Sequence, residues 1–432
     1  MKNRVAVFLL LTSAAWAQSA PSAAEIDAIY PDIEALYIDL HRNPELSLQE
    51  QKTAAKMADG LRQFGFEVTS GVGGHGVVGV LRNGTGPTLM VRTDMDGLPV
   101  EEQTGLPYAS RVKVKDASGA EVGVMHACGH DVHMAAWLGT ARLLAKSKQS
   151  WRGTLVMIAQ PAEEIVTGAR AMLDAGLFTK FPRPDFALAI HDLADLPAGK
   201  AGYASGYMLA NADSVDITIF GKGGHGAWPH TTIDPIVIAA RTIVSLQTIV
   251  AREVDPINPA VITVGSIHGG TKHNIIPDQV HLQLTVRSFK DEVRKHLLSA
   301  IERVTRAEAA AAGAPTPPAV KVTPGVTATY NDPKLTMRLA GALRRNLGEA
   351  NVVEVPPKMG SEDFSEFGRA GIPAVMLWVG AAEPAKVEAA RASGTPLPSL
   401  HSATFAPDRA RTLRTAVMAE TAAALELLGR SP

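Results

Sequence analysis

The sequence predicts an α/β protein: a mixed, mostly parallel sheet with helices on both faces, plus a smaller inserted α+β sandwich. Three observations predict it. Apolar strands alternate with segments of helical spacing at both ends of the chain. In the middle, polar and apolar residues alternate along the strands, as in a sheet with one buried face. The chain has 432 residues, 46% of them hydrophobic, and one cysteine. That length suits about two or three domains, stabilised by their cores and not by internal disulfides.

The elements follow in order. Lys2 and Arg4, the apolar run 5–11 and Ala15-Trp16-Ala17 read as a signal peptide over 1–17, with an exported, periplasmic or secreted product. Elsewhere no apolar run reaches about 18 residues, so no membrane span is expected. Helices are expected over 25–42 and 48–64, separated by Asn43-Pro44. Strands follow at 77–81 and 88–92, then a helix at 131–146, a strand at 154–159, a helix at 167–176 and a strand at 186–190. Asp213–Phe220 alternates, and a helix at 234–253 starts with Asp234 as cap and Pro235 in its first turn. Two more strands (261–267 and 280–289) and a charged, Ala-rich helix (291–312) complete the middle block. The chain resumes with helices at 332–347 and 361–369, a buried strand at 374–379, a Pro/Gly-rich loop and a helix at 408–429. The implied division is 22–206 and 322–432 for the larger domain and 207–321 for the insert.

Lys+Arg (42) balance Asp+Glu (43). No basic excess marks a nucleic-acid partner, and no acidic excess marks disorder.

Polar clusters sit where strands end or a helix opens: Asp94 and Asp96; Cys128, His130 and Asp131; Glu163 and Glu164; His191 and Asp192. The carboxyl ends of parallel strands are where such folds bind ligands, so the clusters predict one site. His401-Ser402 is a fifth cluster. Gly129 lets Cys128 and His130, one residue apart, face one ion, and a helix N-terminus favours a thiolate. His126 and His133 are neighbours, and His133 suits packing or support of a ligand better than ligation. Adjacent Glu163 and Glu164 point in different directions, so one can bind metal while the other moves protons. Asp94 and Asp96 share a strand face, and either could ligate or orient an imidazole. Thiolate, imidazole and carboxylate donors together suit Zn²⁺ or Mn²⁺, not Ca²⁺ or Mg²⁺. In the middle block, the glycines of 221–226 present His225 at a tight turn without phosphate-loop spacing. Arg287 ends an alternating strand, well placed to grip a carboxylate; Asn274 lies in the same block.

Seven segments, RTDMDGLP (92–99), MHACGHDVH (125–133), QPAEE (160–164), GKGGHGAWPH (221–230), NIIPD (274–278), TVRSF (285–289) and MGSEDFS (359–365), occur in this order. Together they resemble the metal-dependent aminoacylase/carboxypeptidase family of amidohydrolases, in its branch of hippurate, N-acyl-amino-acid and auxin-conjugate hydrolases. The resemblance covers about residues 25–425. It implies two divalent ions per subunit (Zn or Mn, with Co or Ni also compatible), held by Cys128, His130, Glu164, His191 and His401. Glu163 matches the general base and Asp96 the carboxylate beside the metals. His225, Asn274, Arg287 and Gly360 match substrate-contact positions, His225 reaching a neighbouring subunit's site. The implied activity is hydrolysis of N-acyl amino acids, by a homodimer paired through the insert. A carboxypeptidase acting on short peptides is the alternative, and a non-catalytic metal-binding dimer a remote one. One departure is Ala403 after His401-Ser402, where the branch usually has proline.

Overall fold

In the computed structural model, which describes residues 21–116 and 118–429, one mixed sheet of eight strands organises both ends of the chain. Its order is Glu67–Ser70, Val77–Asn83, Gly153–Gln160, Thr88–Asp94, Phe186–Pro197, Ala374–Ala382, Ala201–Tyr203 and Val352–Glu354. The central strands pair in parallel: Thr88–Asp94 between Gly153–Gln160 and Phe186–Pro197, and Phe186–Pro197 with Ala374–Ala382. These strands are apolar along both faces, so both faces must be covered. Helices Ala23–Arg42, His130–Lys146 and Arg409–Leu428 share one core with the sheet through residues such as Ile33, Trp137, Leu188 and Val417. On the other side Met90, Ile158, Met172, Phe364 and Phe367 form a second core.

Capping follows local chemistry. Ser22 and Glu25 close a capping box on the first helix, and Asp234 caps the helix that Pro235 opens.

The middle of the chain builds a separate four-stranded antiparallel sheet, ordered Ala260–His268, Gln279–Ser288, Asn211–Phe220 and Ala319–Pro324. Helices Pro235–Thr248 and Asp291–Ala311 pack on it around Ile217, Leu246, Leu282, Leu297 and Ile301. One helical stretch, Pro235–Glu253, is long and apolar enough to cross a membrane by length and composition. Its inner face (Ile238, Ala239, Leu246) lies in that core, while Ile236, Val237 and Val244 are exposed.

Several expectations change. The signal-peptide segment 1–17 lies outside the described residues. Helix 361–369 begins only at Ser365, because Glu362 and Asp363 are drawn into bonds with Arg92, Gln160 and the Ala169 amide. The helix from 235 turns into a π-helix over Ile249–Glu253. His191 and Asp192 do not follow their strand but lie inside it, since pairing with Ala374–Ala382 carries it on to Pro197. The Pro/Gly-rich loop before His401 contains a helix, Pro384–Ser393, with Pro at its first position. Ala319–Pro324 adds an edge strand that the Pro-rich sequence before it concealed.

Candidate metal centre

Cys128, Gly129 and His130 form the turn that opens helix His130–Lys146. Gly129 is left-handed (φ 79°, ψ 17°), and a Cβ there would lie 2.2 Å from Asp192 Oδ2. Only glycine meets both conditions. His130 Nδ1 donates to the Asp96 carbonyl at 2.7 Å, which fixes the tautomer and leaves Nε2 facing the site. That Nε2 is buried with no hydrogen-bond partner. It lies 3.8 Å from both Glu163 Oε2 and Glu164 Oε1, and 3.7 Å from Asp94 Oδ2.

His191 and His401 both close on the thiol, the second from 273 residues further along the chain. Cys128 Sγ is 3.6 Å from His191 Nε2 and 3.3 Å from His401 Nε2. His191 Nδ1 donates to the Asp192 carbonyl at 2.7 Å. His401 sits in the left-handed region (φ 65°), its amide bonded to the Ala127 carbonyl at 2.8 Å and its Nε2 3.5 Å from Glu164 Oε2. That tie fixes a strained residue onto the cysteine turn.

The Glu163–Glu164 turn is strained too, with Ala162 (φ 53°) and Val166 (φ 52°) both left-handed. Two carboxylates brace it. Glu50 accepts the Ala162 amide at 2.7 Å. Asp96 accepts the Glu163 amide at 3.1 Å, the Glu164 amide at 2.9 Å and the Ser47 hydroxyl at 2.6 Å. Asp96 therefore lies beneath the turn, with its oxygens directed at backbone.

Electrostatics match this crowding. Burial pushes the Glu163 carboxyl well above the usual range, with Glu362, Glu164 and Asp363 adding repulsion. Burial also pushes Glu164 up to about 7, against the pull of His130. Burial raises the Cys128 thiol well above its ordinary value, and the surrounding carboxylates raise it further. Burial opposes charging of His130, but Asp94, Asp96 and Glu164 outweigh it and hold the imidazole well above its usual range. So many carboxylates in one dry site need cations to ionise together. The donors supply the geometry for them: Cys128, His130 and His191 form one group of converging ligand atoms, and Cys128, Glu164 and His401 another. The unpartnered His130 Nε2 and Glu164 Oε1, both buried, fit the same requirement.

His133 is clamped between Asp94 (2.8 Å) and Asp192 (3.1 Å), in a supporting position. His126 is buried with both ring nitrogens unpartnered, and burial lowers it to about 4. Beneath Glu163 lies a network the sequence reading missed: fully buried Arg92 bonds Asp94, Gln160, Glu362 and Asp363. Its signal was present, a guanidinium inside an otherwise apolar strand.

The remaining candidates fall into two further places. Arg287 Nη1 donates to the Met359 carbonyl at 3.0 Å and reaches Ser361 Oγ at 3.4 Å, which puts it beside Gly360. The Gly360 carbonyl accepts the Ala210 amide. Arg287 is half-buried, and among the described residues no carboxylate lies within ion-pair distance of it. His225 and Asn274 meet on the four-stranded unit, where Gly226 N donates to the Asn274 carbonyl. His225 is exposed against Trp228, and its Nδ1 accepts the Ala227 amide at 3.0 Å. Among the described residues, no hydrogen bond joins either place to the cysteine cluster.

Residues 90–401 match the sequence profile of peptidase family M20/M25/M40. Thermostable carboxypeptidase 2 of Saccharolobus solfataricus is 40% identical over 336 residues, 76% of this chain and 80% of that protein. The hippurate hydrolase of Campylobacter jejuni is 37% identical over 347 residues, 79% of this chain and 86% of its own. The Bacillus subtilis YXEP protein, described as a dinuclear metal-binding peptidase from M20 family, superposes with a TM-score of 0.76 at 32% identity, covering 93% of this chain and 99% of its own.

Proposed function

The chain belongs to peptidase family M20/M25/M40 and is a metal-dependent amidohydrolase; from that premise we propose that its substrates are N-acyl amino acids, cleaved to a carboxylic acid and a free amino acid. The observation that carries this reading is the braced Glu163–Glu164 turn beside the donor cluster. Cys128, His130, Glu164, His191 and His401 would hold the cation pair, whose chemistry is to acidify water and polarise the scissile carbonyl. Zn²⁺ or Mn²⁺ suits this mixture of soft and hard donors, with Co²⁺ or Ni²⁺ also compatible.

Glu163 takes a proton from the attacking water and returns it to the departing amine nitrogen. Its raised affinity for protons suits the second step, and nearby cations favour the ionised form that the first step needs. Asp96 positions both glutamates through their amides. Arg287, half-buried and without a carboxylate of its own, suits the amino acid's carboxylate. Because His225 Nδ1 is an acceptor, its Nε2 carries the proton and can donate to the developing oxyanion, reached from a second subunit. Glu163→Gln should keep its metal and lose turnover by at least about a hundredfold. Near-normal hydrolysis by that variant would refute the assignment, as would full activity after chelation.

A carboxypeptidase acting on short peptides is the second reading, favoured by the similarity to thermostable carboxypeptidase 2 and by an arginine equally suited to a peptide's C-terminus. A panel of N-acyl amino acids against dipeptides and tripeptides separates the two. We also propose that the chain divides into two units, the middle one running on past the expected boundary at 321 to Pro324, because Ala319–Pro324 pairs with Asn211–Phe220, and that it forms a homodimer through the middle unit. Exposed Trp228, Ile236, Val237, Val244, Ile267 and Ile275 all belong to that unit and support the pairing. Export after removal of residues 1–17 completes the reading.

A further inference from the structure

We propose that buried Arg92 is a positioning residue for the substrate's carboxylate: it fixes the segment 359–363 on which Arg287 rests, and so sets where Arg287 stands relative to Glu163. This rests on the reading above that Arg287 grips that carboxylate. Arg287 lies in the four-stranded sheet, opposite Ala212. Its guanidinium is held from outside that sheet, by the Met359 carbonyl at 3.0 Å and Ser361 Oγ at 3.4 Å. Among the described residues its side chain makes no other hydrogen bond. The place of the guanidinium therefore follows the place of 359–361, a segment outside any helix or strand.

The two residues after Ser361 are its anchors, and both lead to Arg92. Glu362 receives Arg92 on its two oxygens, at 2.8 and 3.4 Å. Asp363 receives Gln160 Nε2 at 2.6 Å, the Ala169 amide at 2.9 Å and Arg92 at 3.3 Å. Arg92 in turn bonds Gln160 Oε1 through Nε at 3.0 Å and Asp94 through Nη1 at 2.5 Å. All five side chains are buried. Arg92 stands on strand Thr88–Asp94, two residues before Asp94, whose Oδ2 lies 3.7 Å from His130 Nε2. Two residues further on, Asp96 accepts the Glu163 and Glu164 amides. One short stretch of chain thus carries both the brace of the general base and the anchor of Arg287's seat. An apolar side chain, like its neighbours Met90 and Val91, would fill an inner strand without the desolvation that a guanidinium and three carboxylates incur. The planar fork instead fixes three partners in set directions, which a lysine's point charge cannot do.

The test compares kcat/KM for an N-acyl amino acid and for its C-terminal carboxamide, which lacks only the negative charge. The ratio of the two cancels any loss of turnover or folded enzyme common to both. Arg287→Ala should cut the acid-to-amide ratio at least about thirtyfold. Arg92→Lys, which keeps the buried charge and loses the fork, should cut it at least about tenfold. In an Arg287→Ala background the same change should move the ratio by less than about twofold, because the two residues act through one contact. Should Arg92→Lys not fold, Glu362→Gln, which keeps the size and one acceptor oxygen, carries the test with the same expected direction. A ratio that Arg287→Ala moves but Arg92→Lys or Glu362→Gln leaves unchanged overturns the proposal and leaves Arg92 a role in stability alone. So does a further fall in the double variant. A ratio that Arg287→Ala itself leaves unchanged refutes instead the carboxylate role given to Arg287.

Discussion

At the scale of single residues, the site depends on backbone as much as on donors. Gly129 is the sharpest case, because its left-handed turn and the 2.2 Å approach to Asp192 leave no room for a methyl group. Gly129→Ala should cost about 2–4 kcal/mol and displace Cys128 from His130. The expected outcome is a lower melting temperature together with sub-stoichiometric metal, by calorimetry and metal analysis; full metal content would show that the turn tolerates the change. That these side chains would converge was legible in the sequence because Cys128-Gly129-His130 and Glu163-Glu164 pair chemically distinct groups at short range. The task of Asp96 was not legible. It comes from two backbone amides 67 and 68 residues further on, and nothing in a local motif reports such a bond.

At the scale of elements, periodicity located nearly every long helix and strand, since each buries one stripe or two full faces. It failed where a side-chain network overrides local preference. Residues 361–364 read as helix, yet Arg92 and the Ala169 amide pull Glu362 and Asp363 out of that path. Helix Arg409–Leu428 carries a second feature that pattern alone conceals. Its Glu420 is fully buried with neither oxygen hydrogen-bonded, and burial pushes its carboxyl up to about 8 from an ordinary 4.5. The folded protein thus keeps a proton that the unfolded chain has lost. Glu420's contribution to stability therefore falls as pH rises from about 4.5 to about 8. Glu420→Gln mimics the protonated form and should remove this slope. In paired denaturation curves the variant should match the wild type near pH 4.5 and exceed it by about 2–4 kcal/mol near pH 8.5. Parallel curves at both pH values would show that Glu420 is ionised in the fold.

At the scale of the whole molecule, the chain builds two units with separate cores. The middle unit leaves the outer face of its first helix uncovered, with Val244 70% exposed, and the edge strand Ala260–His268 unpaired on one side within the described residues. Exposed apolar residues along an open edge invite a second copy. Val244→Glu should shift sedimentation toward the monomer and lower kcat, while a wild-type monomer at micromolar concentration would refute the dimer. The order of segments along the chain has a further consequence. Cys128 and His401 meet across 273 residues, with the whole middle unit lying between them in sequence. Closing so long a loop is entropically costly, and bound cations repay that cost only once both ends are present. On the proposed ligand set the cation pair is therefore a late clasp: a ribosome-bound fragment short of residue 401 lacks one of its five donors. With the export proposed above, the cation would be set by the metal supply of the compartment where the finished chain folds, not the one where synthesis begins.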